Sequence, residues 1–476
     1  MNRSGAPRTQ ASTIHTLASA SRALASGRMR SVDLVEQSLA RIATLDGRLH
    51  SHVLVTADRA RSAAQRADDE IRAGRRRSPL HGVPFALKDI YATAGIRTTA
   101  HSRLLIDHVP ARDATVTARL EAAGGVLTGK LATHEFATGG PAYDLPFPPA
   151  RNPWDTTRFT GGSSSGSAAA VAAGLVPLAM GSDTSGSIRG PAAFCGVAGF
   201  KPTYGVVPRT GVVPLAFSLD HCGPLAWTVE DCALAMNLIA GPDGADPAAS
   251  STRVGSFTRG LKGGIEGMRI GVVRHFHERD IDGEPEAVAA IEAALEVLRR
   301  LGVELVTVRL PPHADWDACV RVLLYAEALA IHEHDLRTQP EKYAEITRTR
   351  LEAARAISGT DVILAQRWRR QLCDAYMAAT EGVDALVCAC SLGVAPVLDE
   401  MTGPPYLSTR GKLVMTPFSL TGAPALSVCA GYSSTGLPLS LQIAGRPFDD
   451  ARVLRVGHAY ERATPWRERR PAVSAV

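Results

Sequence analysis

Apolar residues along the chain recur with two alternating periods. In SVDLVEQSLARIATL they fall at helical spacing, with Ser31 as the expected cap, and a second helical pattern runs from Arg59 to Ile71. MRIGVVR, EPEAVAAIEAALEVLRRLG and ELVTVRL then read as strand, helix and strand, and two more helices are expected near 316 to 335 and 360 to 380. Short apolar runs at Ala385 to Cys388, Ala425 to Cys429 and Leu439 to Ile443 read as strands before a last helix from Ala451 to Glu461. This alternation predicts an α/β fold.

Two loops interrupt the pattern. Residues 161 to 167 read GGSSSGS and residues 181 to 187 read GSDTSGS. Between them SAAAVAAGLVPLAMG begins as a small-residue helix suited to close packing, which Gly174 and Pro177 end. Leu178, Ala179 and Met180 are expected to form a short buried strand that aims Asp183 to Ser187 out of its end as a tight turn, where an α/β sheet places its chemistry. Pro191 suits the first turn of a helix over PAAFCG, so backbone N–H groups point at whatever lies beside Ser187.

Such loops are commonly plain turns, and other chemistries use similar spacings. A phosphate-cradling loop fails because no lysine follows Gly166. Gly162 to Gly166 satisfies G-x-S-x-G, yet the lead-in RNPWDTTRFT is polar and contains proline, a poor central strand for a nucleophile elbow. Upstream, Lys88 sits among Val83, Phe85, Ala86, Leu87 and Ile90. In a strand it shares a face with Ala86 and Ile90 while Asp89 points the other way. Alone it would read as a strand end or a structural ion pair. With the two serine loops it can form a nucleophilic relay that needs neither histidine nor metal, provided burial strips the lysine of its proton.

These motifs resemble the amidase signature family. The resemblance is densest from RNPWD through GSDTSGSIRGPAAFCGVAGFKPTYG to SLDHCGPLAWTVEDCA, and HGVPFALKDI, KLATHEFATGG, TPFSLTGAPALSVCAGY and LPLSLQIAGRPFDDARVLRVGHAYERATPW extend it over most of the chain. It implies a large mixed β-sheet covered on both faces by helices, with Ser187 as nucleophile, Ser163 as bridging serine in a cis peptide after Gly162, and Lys88 as base. It implies an oxyanion hole from the backbone of Thr184, Ser185, Gly186 and Ser187. Ser164 is expected to hold Lys88, and Asp183 and Arg189 to brace the loop as a charged pair. The family more often has DTGGS where this chain has DTSGS, so Ser185 would be strained if its position required positive φ. VCAGY and VCACSLGVAP also stand where the family more often has proline.

For substrate contacts the sequence offers Thr138, Gly139 and Gly140 after HEFA, Arg209 in VVPRTGVVP, and a pocket rim over 391 to 416. The leading expectation is a stand-alone hydrolase of small or medium amides, extending to aryl esters and carbamates. The alternatives are a glutamine-hydrolysing subunit of a multi-protein amidotransferase, a G-x-S-x-G serine esterase and a noncatalytic binding protein of the same fold.

Composition adds limits. The 476 residues can bury a large core, and the spread of motifs argues for one domain over 1 to 476, with a helical region at 1 to 75, a signature core at 76 to 235 and the rest of the sheet at 236 to 476. The eight cysteines lie in apolar contexts without a C-x-x-C pair, which suits buried thiols. The first twenty residues lack the apolar core of a signal peptide, and no apolar run is long enough for a membrane span. Net charge is +5, and the cluster Arg72, Arg75, Arg76 and Arg77 follows a helix end, where arginine serves the dipole. His332 and His334 at i and i+2 fall on different helix faces, so no metal site is expected. The expectations are therefore a cytoplasmic enzyme with a small-molecule amide substrate, no cofactor, no nucleic-acid or membrane partner, and a homodimer as the candidate association.

Overall fold

The computed structural model describes residues 15–252, 254–402 and 412–473. In chain order the strands are β1 (His52–Val55), β2 (Pro84–Lys88), β3 (Val126–Leu131), β4 (Arg151–Asn152), β5 (Asp155–Phe159), β6 (Leu178–Asp183), β7 (Ala198–Lys201), β8 (His221–Ala226), β9 (Arg269–Val272), β10 (Glu304–Thr307), β11 (Ala385–Ala389), β12 (Ala425–Tyr432) and β13 (Pro438–Ala444). Eleven of them make one mixed sheet in the order β1-β3-β2-β6-β8-β7-β12-β13-β11-β9-β10, and β4 pairs with β5 in a hairpin. The neighbours β3, β2 and β6 are parallel, as are β11, β9 and β10, while β8, β7, β12 and β13 join the two ends antiparallel.

The side-chain alternation of the strands explains why the sheet is covered twice. Phe85 and Leu87 of β2, with Leu178 and Met180 of β6, enter one core, whereas Ala86 and Ala179 enter the other. The second core is closed by α2 (Ser31–Leu49), α5 (Ser165–Ala172) and α6 (Arg189–Cys195). On the first lie α7 (Val229–Ile239), α8 (Pro285–Arg300), α9 (His313–Thr338) and the C-terminal helix Asp450–Arg462. The fold is the large mixed sheet with helices on both faces that the resemblance implied. In α5 the small residues serve close approach: a Cβ on Gly166 would lie 2.3 Å from the Ser51 carbonyl oxygen and 2.5 Å from the Ala132 nitrogen.

Local details depart from the expected pattern for tertiary reasons. Ser31 is the first residue of α2 rather than its cap, and its hydroxyl donates to the Gly82 carbonyl at 2.7 Å. The first-turn N–H groups of Ser31 and Val32 are accepted instead by Asp68, from the neighbouring α3 (Ala57–Arg72). Strand β2 stops at Lys88, where the backbone turns as Ile90 N–H donates to the Lys88 carbonyl at 2.7 Å. Ile90 consequently enters the core opposite to Ala86, and does not share the face expected for a longer strand. The helix α10 (Glu345–Ala353) was not legible in the pattern; only Thr347 and Leu351 of its residues are buried. Residues 403–411 of the expected pocket rim and residues 1–14, where a leader was sought, lie outside the described residues.

Among the described residues no helix is long and apolar enough to cross a membrane. The cysteines are free thiols, all buried except the half-buried Cys373.

At Gly129 in β3 an added Cβ would meet the Leu54 carbonyl oxygen of β1 at 2.4 Å, a backbone atom that cannot swing aside. The substitution Gly129→Ala is expected to destabilise the fold by about 1–3 kcal/mol, seen as a lower urea midpoint.

Candidate active site

The parallel strands β2 and β6 run side by side, with Leu87 beside Met180, so both end at one edge of the sheet. Lys88 stands at the end of β2 and is fully buried. Its Nζ donates to Ser163 Oγ at 2.6 Å and to Ser182 Oγ at 2.9 Å, and it forms no ion pair among the described residues. Burial pulls the ammonium from its ordinary 10.5 down to about 7, against the opposing pull of Asp183, Asp220 and Cys222. Burial thus brings the loss of the Lys88 proton into the neutral range.

Ser163 follows Gly162 through a cis peptide. The next residue does not hold the lysine as expected. Ser164 Oγ donates to the Ser182 carbonyl and accepts the Ser182 N–H, both at 3.2 Å, while Ser182 supplies the hydroxyl that Lys88 reaches. Reading the strand as ending at Met180 concealed this; β6 continues to Asp183 and carries Ser182 inside the sheet. Ser187 lies in the turn beyond, 9% exposed, and its carbonyl accepts the Ser164 N–H at 3.2 Å, which ties the two serine loops together. No hydrogen bond joins the hydroxyls of Ser163 and Ser187 in this structure.

Asp183 and Arg189 form a buried charged pair. Arg189 Nε and Nη2 each donate to the Asp183 carboxylate at 2.9 Å, and both residues are fully buried. Burial pushes the Asp183 carboxyl up, but Arg189 and Lys201 outweigh it and hold the group well below the usual carboxylate range. The same carboxylate accepts N–H groups from Gly186 at 2.7 Å, Ile188 at 3.2 Å and Arg189 at 3.3 Å. One of the four expected oxyanion donors, Gly186, is thus bonded within the loop. Gly186 also carries the positive φ, 119°, so Ser185 is not the residue in left-handed backbone. Arg189 reaches further, to the Met415 carbonyl at 3.0 Å, Gln442 Oε1 at 2.9 Å and Ser419 Oγ at 2.8 Å.

The remaining candidates separate. Gly139, with φ 68°, packs against Thr347 of α10, and its carbonyl accepts from Arg350 of the same helix. Thr138 is buried, and Gly140 lines a small void with His101 and His134. Beneath this loop the buried Glu135 accepts from Ser102 Oγ at 2.6 Å and from the Ala344 N–H at 2.9 Å, and burial lifts its carboxyl to about 7. Arg209 is not a free loop arginine: it pairs with Asp246 at 3.1 Å and lies over the Tyr204 ring. It lines a cavity of about 680 Å³ that Ser182, Thr184, Asp220, Phe217 and Val212 also border. His332 Nδ1 lies 2.9 Å from the Tyr343 hydroxyl, and among the described residues no three metal-type side chains gather.

The chain belongs to the amidase family: the Amidase family model matches residues 33–454. It is 40% identical over 479 residues to a glutamyl-tRNA(Gln) amidotransferase subunit from Chloroflexus aggregans, covering 96% of this chain and 98% of that one. Among solved structures it superposes on a chain from a vestigial protein complex that reveals the origins of an s-triazine catabolic enzyme, at TM-score 0.88 and 34% identity over 94% of this chain and 98% of that one. It superposes on the peptide amidase of Stenotrophomonas maltophilia at TM-score 0.86 and 32% identity, over 98% of this chain and 100% of that one. The expectation of a small-molecule substrate alone, with no nucleic acid and no protein association other than a homodimer, does not stand. The relatives matched over nearly the full chain are named as one subunit of a glutamyl-tRNA(Gln) amidotransferase, an assembly that acts on a tRNA.

Two substitutions probe the geometry. A Cβ on Gly162 would fall 1.9 Å from the His134 ring, so Gly162→Ala is expected to displace Ser163 and lower kcat by about 10²-fold or more in a steady-state assay. Lys88→Met is expected to abolish hydrolysis while raising the Tm at pH 7. The sign follows from linkage: the folded value of about 7 lies below the 10.5 of an unfolded chain, so between these the unfolded state alone holds the proton and stability rises with pH. The Tm gain of Lys88→Met is therefore greatest at or below pH 7 and shrinks towards pH 10, as scanning calorimetry would record.

Proposed function

We propose that this chain releases ammonia from the side-chain amide of glutamine as the hydrolytic member of a multi-subunit amidotransferase, through an acyl-enzyme on Ser187. The carrying observation is its likeness, at 40% identity over nearly the full length of both chains, to a protein named as a subunit of glutamyl-tRNA(Gln) amidotransferase. In the site, neutral Lys88 takes the proton of Ser163, which takes that of Ser187, and the Ser187 oxygen attacks the amide carbon.

The charge that develops on the carbonyl oxygen needs donors already in place. Backbone N–H groups of the Thr184 to Ser187 turn supply them, with Gly186 committed to Asp183 in the resting loop, and one such donor contributes roughly 2.7–4 kcal/mol. As the intermediate collapses, the C–N bond breaks and the proton held by Lys88 returns through Ser163 to the departing nitrogen. Water then gives its proton to the same relay and adds to the acyl carbon, freeing Ser187 and the carboxylic acid. The ammonia passes to a partner protein that acts on the tRNA-linked glutamyl group.

A second reading, stand-alone hydrolysis of larger amides and also of aryl esters or carbamates, is supported by the cavity of about 680 Å³ beside Thr184, which exceeds what a glutamine side chain fills.

The deciding measurement is ammonia release from glutamine by the chain with and without co-expressed partner subunits. Partner-dependent release, lost in Ser187→Ala and lowered about 10²–10⁴-fold in Ser163→Ala, is the expected result. Turnover of peptide amides or anilides by the isolated chain, with no glutamine hydrolysis in the assembly, would replace this reading by the second. A fluorophosphonate is expected to label Ser187, read by peptide mass spectrometry; labelling at Ser164 instead would sink the lysine relay.

A further inference from the structure

Asp220 lies in the stretch SLDHCGPLAWTVEDCA, to which the sequence assigned no chemical role. It immediately precedes β8, whose antiparallel register against β6 sets Ser182 beside Cys222 and Asp183 beside His221. Continued by one residue, that register faces Thr184 with Asp220. Thr184 Oγ1 donates to Asp220 Oδ1 at 2.6 Å, and the other oxygen accepts the N–H groups of Leu215 at 2.8 Å and Ala216 at 3.0 Å. Burial pushes the Asp220 carboxyl up, and the three donors that surround it, with no acceptor among them, pull towards the ionised carboxylate.

We propose that Asp220 is a positioning residue of the hydrolytic site, fixing the Thr184 end of the nucleophile turn and adding a negative charge on the Lys88 side of the cavity. The proposal rests on the lysine relay but not on the identity of the amide. Its first half is geometric. Thr184 is the first residue after β6 and one of the expected oxyanion donors, and among the described residues its side chain bonds to Asp220 alone. Asp183 holds the other end of the turn through Gly186, Ile188 and Arg189, so two carboxylates fix the loop from both sides.

The second half concerns charge. The groups that face Lys88 are Asp183, Asp220 and the thiol of Cys222, with the Tyr91 hydroxyl donating to the Gly181 carbonyl nearby. Asp183 is matched by Arg189 in a bidentate pair. Asp220 forms no ion pair among the described residues; Arg209, the cation across the cavity, is paired with Asp246. Arg209 also acts on Asp220 and partly offsets its charge; after Asp183, Asp220 is the second carboxylate that favours the protonated lysine. Without it the proton leaves Lys88 more easily.

The test is the pH dependence of Ser187 labelling by a fluorophosphonate in the full chain, which needs no knowledge of the natural substrate. Wild-type labelling is expected to rise with pH through about 7. Asp220→Asn is expected to move that rise to lower pH by about half a unit or more and to lower the plateau about tenfold. Thr184→Val, which keeps the charge, is expected to lower the plateau without moving the rise, and Asp220→Glu to keep the wild-type position of the rise. A folded Asp220→Asn whose rise is unmoved, or whose only change is a lower Tm, overturns the proposal. Should Asp220→Asn not fold, a wild-type plateau in Thr184→Val overturns it. Loss of glutamine hydrolysis with these labelling profiles intact would count against the proposed substrate and leave the role of Asp220 standing.

Discussion

The molecule depends on keeping one amine dry. Lys88 is buried at the end of a strand whose every residue is buried, and no carboxylate touches it. A lone ammonium in such a place is costly, and the relief comes from losing the proton rather than from finding a counter-ion. The neighbouring strand carries the contrasting case. Lys130 is equally buried, but Asp89 lies 3.4 Å away, the Tyr91 carbonyl and Thr98 hydroxyl accept from its Nζ, and its pKa falls only to about 8. Two lysines in adjacent strands thus take a structural and a candidate chemical role according to what their amines meet.

Drying Lys88 requires both faces of the sheet to be covered, and this ties distant parts of the chain to the site. Small residues let α5 lie against the ends of β2 and β6, bringing Ser163 and Ser164 with it. On the other side Arg189 extends from the Gly-Ser turn to Met415, Ser419 and Gln442, so the C-terminal part of the chain sets the position of a loop formed more than two hundred residues earlier. Gln442 fixes that link in turn, donating to the Val414 carbonyl at 2.5 Å. The buried Asp183–Arg189 pair keeps its charges because every oxygen has a donor and the guanidinium has acceptors on three sides.

Much of this was legible in the order of residues. The strands from β9 onward and the long helices follow from hydrophobic period, because they bury one face or run continuously apolar. The two Gly-Ser loops and the VPFALKDI run marked the site, since residue types and intervals restrict the chemistry before any contact is known. What was misjudged was decided across the chain. Ser31 lost the capping role to Asp68 of another helix, Ser182 made the contact with Lys88 that was expected of Ser164 because β6 runs beyond its apolar core, and Asp220 became visible only through the register of β8.

The sequence alone therefore determined which residue types stand near one another along the chain: the α/β alternation, the hydroxyls of the two loops, the lysine in its apolar run, and membership of the amidase family. Tertiary structure decided which of them touch. Local periodicity reports how a segment buries its own faces, whereas the proton affinity of Lys88, the bracing of the turn by Asp183 and Asp220, and the pairing of Arg209 with Asp246 arise from side chains brought together by sheet register and helix packing. Electrostatic energies depend on distance and on exclusion of water. Neither is a property of a segment, and both exist only once the sheet has closed.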